Sequence, residues 1–252
     1  AGGAGFTDDT PSIQSALYSG ESVTFPTGVY LTDPLTIPAA AKGAIYSGAG
    51  FYHYDSTHQT VIKAKTAAQS SIFALANGAD NITFTNMRID GDSKAVIGID
   101  GTYGAFFTME GCGVYNCTSY GAYHKQGLAR YRRVFFDNDA VGLQLYSDSS
   151  ISDSEFTNGT IPLLLVAGGN RLSNIWANTG SVCQIRLQPF DASTTHINTS
   201  MVNLYVGETA STSSAPIIDL AGTASQQIQH VQISNSFIVQ AVAGTNKVNG
   251  GI

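Results

Sequence analysis

The stretch that decides the fold is Phe84-Thr85-Asn86-Met87-Arg88-Ile89, because its pattern returns along the chain. The pattern is an apolar residue, any residue, an Asn-like residue, any two residues and a second apolar residue. Further copies begin at Met109, Tyr131, Ile151, Leu172, Met201 and Ile233, with starts 25, 22, 20, 21, 29 and 32 residues apart. A period of twenty-odd residues, rich in β-formers and with variable insertions, is typical of a β-solenoid.

The third position of the pattern predicts a corner between two short strands. Asn, Asp or Gly stands there in six of the seven copies, and these residues tolerate a left-handed backbone. Stacked corners would align these side chains into a hydrogen-bonded ladder. Arg133 is the exception, so we expect the ladder to break there and the corner to be built differently.

Alternation along the strand sends the fourth and sixth residues of each copy inward. This set is mostly apolar, and further segments such as 142–146 and 182–187 supply another strand per repeat. The LxxLxL signature of leucine-rich repeats is missing, and helix propensity is low almost everywhere. The sequence therefore predicts an all-β chain that forms a parallel β-helix. The inward residues are Met87, Cys112, Val134, Ser154, Ile175, Leu204 and Ser236, followed by Ile89, Val114, Phe136, Phe156, Ala177, Val206 and Ile238.

The beginning of the chain differs from the repeats. Thr10 is predicted to cap a short helix that has Pro11 at its first position. Ile13, Ala16 and Leu17 give that helix an apolar face, which would cover the open end of the first rung. We divide the chain into a capping segment with the first strands, residues 1–40, and the β-helix, residues 41–252.

Composition excludes several classes of function. The net charge is −6 and the twelve Lys and Arg residues form no long basic run, so nucleic acid is not an expected partner. No apolar run approaches the roughly 20 residues of a membrane span. Three cysteines are too few for a disulfide framework and are predicted to be buried free thiols. Histidine spacing suggests no metal site, and we expect no cofactor.

Two N-terminal segments, 6–17 and 25–30, resemble the start of the pectate-lyase-like β-helix superfamily, and especially that of bacteriophage tailspikes. The resemblance covers about the first forty residues, and the repeat extends it. It implies a right-handed, single-stranded parallel β-helix with an N-terminal capping helix, assembled as a homotrimer on the virion tail. It also implies host cell-surface polysaccharide as a partner. Asp8 and Asp9 belong to this signature and are interpreted as structural.

The resemblance does not extend to catalytic signatures. The hydrolase strings Asn-Thr-Asp, Gly-His-Gly and Arg-Ile-Lys do not occur, and the local strings of pectate lyases and alginate epimerases are also missing. Residues 248–252 show no obvious closing cap, so we expect a further domain or an adjoining subunit to cover that end.

Outward positions form two columns beside the last strand of the repeat. Aromatic rings in the first column suit either sugar stacking, with Trp176 as the best anchor, or a subunit interface. Phe135, Tyr205, Tyr115 and Arg88 are the other candidate glycan contacts. The columns are Arg88, Gly113, Phe135, Glu155, Trp176, Tyr205 and Phe237, then Asp90, Tyr115, Asp137, Thr157, Asn178, Gly207 and Val239.

Asp137 and Glu155 are the predicted catalytic pair. They would lie on neighbouring rungs with an offset of two residues, about 8 Å between Cα atoms. Glycosidases use two carboxylates at about 5–9.5 Å, one protonated and one ionised. A solvated surface or an interface pairing would present the same two residues.

A second outward face offers an alternative set for a β-eliminating lyase. Arg186 could neutralise a uronic carboxylate, while His124, Lys125 or Tyr146 takes the proton. Three hypotheses follow. The chain is a tailspike domain that binds and cleaves capsule or lipopolysaccharide, a non-enzymatic β-helix adhesin or structural spike, or a secreted polysaccharide lyase.

Overall fold

The computed structural model describes residues 7–51, 58–189, 196–207, 216–222, 227–239, 241–242 and 245–246. In chain order the elements are α1 (Thr10–Tyr18), β1 (Val23–Phe25), β2 (Gly28–Thr32), β3 (Leu35–Ile37), a 3₁₀ turn (Ala39–Ala41), β4 (Ile45–Gly48), β5 (Thr60–Ala64), β6 (Gln69–Leu75), β7 (Thr83–Thr85), β8 (Arg88–Asp90), β9 (Ala95–Gly101), β10 (Thr108–Glu110), β11 (Gly113–Tyr115), β12 (Tyr120–His124) and β13 (Arg130–Arg132). They continue as β14 (Phe135–Asp137), β15 (Val141–Leu145), β16 (Ser150–Thr157), β17 (Ile161–Leu165), β18 (Arg171–Asn178), β19 (Ile185–Leu187), β20 (His196–Gly207), β21 (Ile218–Leu220), β22 (Ile228–Ser234), β23 (Phe237–Val239), β24 (Ala241–Val242) and β25 (Thr245–Asn246).

Strands β1 to β23 stack into three parallel sheets, while β24 and β25 form an antiparallel pair. Each complete turn of the chain adds one strand to each parallel sheet. The first sheet holds β1, β4, β7, β10, β13, the first halves of β16, β18 and β20, and β22. The second holds β2, β5, β8, β11, β14, the second halves of the same long strands, and β23. The third holds β3, β6, β9, β12, β15, β17, β19 and β21. The predicted right-handed parallel β-helix is confirmed.

The corner between the first and second sheets lies where the repeat predicted it. All seven third-position residues have φ between 48° and 61°, Arg133 included. Side-chain bonds run along the corner from Asn174 Nδ2 to Asp153 Oδ1 (2.7 Å) and from Asn203 Nδ2 to Asn174 Oδ1 (3.0 Å). The expectation that Arg133 needs a different corner is wrong for the backbone, which repeats. Its side chain does leave the ladder and pairs with Glu110 instead.

A second ladder, which the sequence pattern did not predict, follows the corner between the second and third sheets. Asn116, Asn138, Asn158 and Thr179 have φ between 51° and 59° there. Asn138 Nδ2 donates to Asn116 Oδ1 at 2.8 Å, and Thr179 Oγ1 donates to Asn158 Oδ1 at 2.9 Å. Each of these bonds joins equivalent residues on neighbouring rungs, so the second ladder helps to fix the stacking of the rungs.

The core is the interior of the solenoid. The predicted inward residues are buried or, at Ser236 and Ile238, half-buried. The inward Ser154 is satisfied because its hydroxyl donates to Ser152 O at 2.6 Å and accepts from Val134 N at 3.2 Å. Aromatic rings stack along the axis, as Phe136 on Phe156 with centroids 5.3 Å apart. All three cysteines are buried and free, as predicted.

The N-terminal helix covers the first rung through Ile13 and Leu17, which are buried. Its cap is Asp9, one residue before the predicted Thr10, because Asp8 Oδ1 accepts the Thr10 amide and holds Thr10 inside the first turn. Asp9 Oδ2 in turn accepts the amide of Leu31 at 3.0 Å. Both aspartates therefore have structural contacts.

The division of the chain at residue 40 stays a prediction. The strands before it, β1, β2 and β3, form the first rung and pair with β4, β5 and β6. The expected open end at residues 248–252 lies outside the described residues. Within the described ranges, no helix has the length and apolar character needed to cross a membrane.

Candidate functional site

The outward face of the second sheet has the register that the repeat predicted. Phe135 pairs with Glu155, Glu155 with Trp176, Trp176 with Tyr205 and Tyr205 with Phe237. Asp137 pairs with Thr157 in the neighbouring column. Asp137 and Glu155 therefore lie on adjacent rungs, two residues apart along the strand.

One part of this face is covered. Tyr115 and Phe135 are only 4% and 6% exposed, with ring centroids 5.5 Å apart, and Phe51 lies 6.2 Å from Tyr115. The Phe51 ring occupies the space above Gly113, where a Cβ would come within 2.4 Å of it. Burial raises the pKa of the Tyr115 hydroxyl well above its ordinary value of 10.0. These rings offer a ligand little surface.

Arg88 belongs to the same covered part. Its guanidinium lies 3.9 Å from the centre of the Tyr115 ring and pairs with Asp90 at 2.7 Å. Asp90 also accepts a hydrogen bond from Asn116 Nδ2 at 3.0 Å. Arg88 therefore links the second sheet to the second ladder, and its charge is compensated within the protein.

The other part of the face is open. Trp176, Tyr205 and Phe237 are 45%, 42% and 58% exposed and follow one another on three rungs. Their ring centroids are 4.4 Å and 5.4 Å apart. We call these three residues the aromatic ridge. Exposed aromatic side chains in contact with one another mark a binding or subunit surface, because isolated soluble proteins rarely leave such patches uncovered.

A groove of about 470 Å³ separates the covered part from the aromatic ridge. Glu155 lies in it between Phe135 on one rung and Trp176 on the next. We call it the Glu155 groove. Its lining residues are Phe51, Arg133, Val134, Phe135, Asp153, Ser154, Glu155, Asn174 and Trp176.

The corner residues give the Glu155 groove its charge. The pKa of Asp153 is lowered, first by the hydrogen bond from Asn174, then by Ser152 and the neighbouring Arg132 and Arg133 guanidinium groups. Asp153 is therefore an ionised carboxylate two residues from Glu155 on β16. Arg133 pairs with Glu110, which Arg132 also approaches at 3.7 Å.

Asp137 is not among the residues that line the Glu155 groove. Its Oδ1 accepts hydrogen bonds from Thr157 Oγ1 at 2.8 Å and from Asn158 Nδ2 at 2.7 Å. The structure thus brings two aspartates near Glu155, one in the next column and one at the corner.

The expected position of His124 on the outer face of the third sheet is wrong. β12 pairs Tyr123, not His124, with Asp100, so His124 points inward and is fully buried. His124 Nε2 and the Tyr131 hydroxyl share a hydrogen bond of 2.5 Å. Burial lowers the pKa of His124 to about 3, so the ring is neutral in the core.

The remaining lyase candidates lie on the third sheet or beside it. Arg186 pairs with Asp219 at 2.8 Å on the next rung. Tyr146 is half-buried against a small apolar cluster that includes Ile161 and Leu164. Lys125 is exposed, with its ammonium 5.7 Å from the Tyr123 ring. These residues form no site with His124, which lies inside the solenoid.

Sequence reasoning missed Phe51, Arg133, Asp153 and Asn174 as lining residues of the groove. Arg133, Asp153 and Asn174 were assigned to the corner. Each lies two residues before a residue of the outward column, and this constant spacing could have predicted that they line the same groove. Phe51 had no such signal, because it lies far from β16 in sequence. Among the described residues, no group of three or more His, Cys, Asp and Glu side chains could hold a metal ion.

No protein-family model matches the chain, and no curated protein matches it in sequence. Solved structures do match it. A protein of Geobacillus virus E2 has a TM-score of 0.61 at 15% identity, over 98% of this chain and 60% of that one. A tailspike protein of the Acinetobacter baumannii bacteriophage Fri1, a capsular polysaccharide depolymerase, has a TM-score of 0.52 at 12% identity, over 95% and 45% of the two chains.

The A-module of a mannuronan C-5 epimerase from Azotobacter vinelandii also matches, with a TM-score of 0.61 at 15% identity over 85% of this chain and 69% of that one. At such identities the likeness concerns the fold. The chain is a right-handed parallel β-helix, the fold that it shares with the Fri1 tailspike and the epimerase module. It spans about half of the length of the phage proteins it matches.

Proposed function

We propose that this chain is the β-helical part of a bacteriophage tailspike, carried on the virion tail as a homotrimer, that binds and hydrolyses a host surface polysaccharide. The polysaccharide would be a capsule or a lipopolysaccharide. The observation that carries the proposal is the continuity of the aromatic ridge with the Glu155 groove. Stacked rings on successive rungs suit consecutive sugar rings, and the groove places carboxylates at the end of that path.

Glu155 is the proposed general acid. Its neighbours on the face are Phe135 and Trp176, so it lies where the open and covered parts of the face meet. A general acid must hold its proton at the working pH. The second carboxylate is Asp137, the partner predicted from the sequence, or Asp153, which lines the groove and is held ionised. Trp176 and Tyr205 stack against the glycan. Phe135, Tyr115 and Arg88 pack against one another beside the Glu155 groove and hold its covered side in place.

Cleavage is tested with capsular polysaccharides and lipopolysaccharides from a panel of bacterial strains. Release of reducing ends without absorbance from unsaturated uronate is expected, and Glu155→Gln should reduce the rate by about 100-fold or more. Asp137→Asn and Asp153→Asn, measured in parallel, identify the partner as the variant that loses activity. Activity that survives in both Asp137→Asn and Asp153→Asn would rule out both proposed carboxylate pairs.

Binding is followed separately by the fluorescence of Trp176, the only tryptophan of the chain. A cleavable glycan should change its emission, and Tyr205→Ala should weaken binding by about tenfold. The control is Tyr103→Ala, an aromatic residue that is 57% exposed but lies off the ridge. Equal effects of the two substitutions would contradict a binding role for the ridge.

The second candidate is a non-enzymatic adhesin or structural spike that uses the aromatic ridge between subunits. The exposed, mutually packed rings favour it, because aromatics are enriched at interfaces. Light scattering of Trp176→Ala and Tyr205→Ala separates the two roles. A change of oligomeric state supports the interface, whereas an unchanged assembly with weaker glycan binding supports the glycan site.

The secreted lyase has less support, since His124 is buried and Arg186 is already paired with Asp219. Absorbance from unsaturated uronate among the products would reverse that ranking. This product would also mean that the reaction does not take place in the Glu155 groove.

A further inference from the structure

The third corner of the solenoid, between the third and first sheets, contains two residues that do not suit its backbone. The residue two positions before β4, β7, β10, β13, β16 and β18 has a left-handed φ, and Asn198 in β20 and His230 in β22 repeat it. Gly43, Asn81, Asp148, Gly169 and Asn198 adopt it readily, but Phe106 (φ 56°) and Leu128 (φ 68°) do not. These two residues lie on consecutive rungs.

Burial does not compensate for this strain. The Phe106 side chain is 48% exposed and that of Leu128 is 40% exposed. Asn or Gly at either position would relieve the strain and remove apolar surface from water. Backbone strain held without a gain in packing is a feature of ligand-binding sites.

Phe106 and Leu128 flank a groove of about 200 Å³, which we call the corner groove. Its other walls are Asn81 and three outward residues of the first sheet, Thr83, Thr108 and Arg130, which occupy one column on consecutive rungs. Within the part of the chain that the structure describes, none of these four polar side chains makes a hydrogen bond or an ion pair.

This lack of partners distinguishes the corner groove from the other two corners. At the first corner, Arg133 pairs with Glu110 and Asn174 bonds Asp153. The second corner has the Asn116–Asn138 bond. At the corner groove, an amide, two hydroxyls and a guanidinium all face the same space beside an aromatic ring. These are the groups that recognise a sugar, with donors for its oxygens and a ring for its apolar face.

Arg130 indicates the charge of that sugar. A guanidinium without a counter-ion offers two parallel donors, which match a carboxylate. The same column continues through Ser150 to Arg171, so a second guanidinium lies two rungs away, about 9.6 Å along the axis. Arg171 also has no ion pair among the described side chains, and the column from Thr83 to Ser200 contains no acidic residue.

We propose that the corner groove is a second glycan site that binds a carboxylated sugar, with Arg130 on the carboxylate and Phe106 against the ring. It rests on the proposed function, because it assigns an acidic sugar to the bound polysaccharide. It lies on the first sheet, away from the aromatic ridge and the Glu155 groove. An anionic chain along the first sheet would meet Arg130 and then Arg171.

The test uses an oligosaccharide of glucuronate units and its carboxyl-reduced, neutral counterpart, titrated into the full chain by calorimetry. The wild type should bind the acidic probe at least about tenfold more tightly than the neutral one, with affinity that falls as salt rises. Arg130→Gln should abolish that preference. Phe106→Gly should weaken binding while raising thermal stability, because it removes the strain.

The outcomes separate this site from the proposed function. Loss of acidic-probe binding in Arg130→Gln but not in Trp176→Ala supports the corner groove. Loss in Trp176→Ala alone overturns it and leaves the aromatic ridge as the glycan site. Equal binding of both probes, or no binding of the acidic probe by the wild type, also overturns it. So does a change of oligomeric state in Phe106→Gly, which would make the corner a subunit contact.

Discussion

Two parts of the outward face of the second sheet share a sequence pattern but differ in solvent exposure. On the covered part, Tyr115 and Phe135 are buried beside Phe51. On the aromatic ridge, two or more rungs further along, Trp176, Tyr205 and Phe237 are about half exposed. Register alone decides that these rings point outward. Whether an outward ring contributes to stability or meets a ligand depends on what lies over it.

Because of this difference in exposure, the aromatic residues of the two parts have different roles. Aromatic residues in the covered part bury apolar area and hold the rungs together, as core residues do. Those of the aromatic ridge are available for a glycan or a subunit. The Glu155 groove lies at the boundary, where one wall is rigid and packed and the other is open.

The largest expected contrast is between Phe135→Ala and Trp176→Ala. Phe135→Ala should reduce the free energy of unfolding by about 3 kcal/mol, because it leaves a cavity under Phe51. Trp176→Ala should cost less than about 1 kcal/mol, because the ring is already 45% exposed. Urea unfolding of the two variants measures the difference, and similar losses would show that both parts are packed alike.

Asp139 gives the stability of the fold a dependence on pH. It is buried at the second corner, where its Oδ1 accepts the amide of Cys117 at 2.7 Å. Burial raises its pKa well above the ordinary 3.8, so the folded state prefers the protonated acid. Below about pH 4 the carboxyl group is protonated in both the folded and the unfolded chain, so it does not lower the free energy of unfolding. Above that pH the unfolded chain ionises more readily than the folded one, so the fold is destabilised as the pH rises.

Asp139→Asn should therefore flatten the stability profile, with the variant increasingly more stable than the wild type from pH 4 to pH 8. The measurement is the urea midpoint at each pH. Parallel profiles for the two proteins would mean that Asp139 is not buried as a neutral acid.

Asn174 joins the Glu155 groove to the first ladder, and two substitutions separate its backbone role from its side-chain role. Asn174→Ala loses the bonds to Asp153 and Asn203 and places Ala at φ 54°, for a cost of about 2 kcal/mol. Asn174→Gly keeps the backbone and should cost about 1 kcal/mol. Both variants remove the hydrogen bond that lowers the pKa of Asp153, so NMR titration should show that pKa rising. An unchanged titration would exclude the ladder as its cause.

The smallest effect is expected for Gly113→Ala, which opens the covered part. The new methyl group would meet the Phe51 ring, which can move aside, and also the edge of the Tyr115 ring. We expect a loss of about 1 kcal/mol or less and a shift in the emission of Trp176, which shares the groove with Phe51. In a Phe51→Ala background the substitution should cost less than in the wild type, with only the contact to Tyr115 remaining, and additive costs would show that Gly113 and Phe51 do not touch.

Much of the architecture could be predicted because a repeat constrains every rung at once. The third position of the repeat gave all seven corners of one edge, and alternation gave the inward set from Met87 to Ile238. Arg133 shows the strength of that constraint, since the stacked neighbours impose the left-handed corner on an unfavourable residue. The second and third corners were missed although they lie five residues after and five residues before the first corner on most rungs, because the six-residue repeat ends before it reaches either of them.

The candidate site was less accessible to sequence reasoning. The columns through Phe135, Glu155 and Trp176 were predicted correctly, since they depend only on register. His124 was placed on the wrong face because one residue of register separates outward from inward on the third sheet. The catalytic role of Asp137 and Glu155 stays a prediction, and Asp153, which lines the same groove as Glu155, is our alternative proposal for the second carboxylate.

The sequence by itself determined the parallel β-helix, the inward residues of its repeats and the two outward columns beside the last strand of the repeat. These properties depend on local periodicity, which repeats every rung and is readable in one dimension. Tertiary structure alone decided that Tyr115 and Phe135 are covered, that His124 is buried, and that Phe106 and Leu128 flank a groove. Those properties depend on contacts between residues distant in the chain, and no local pattern specifies which loop crosses which face.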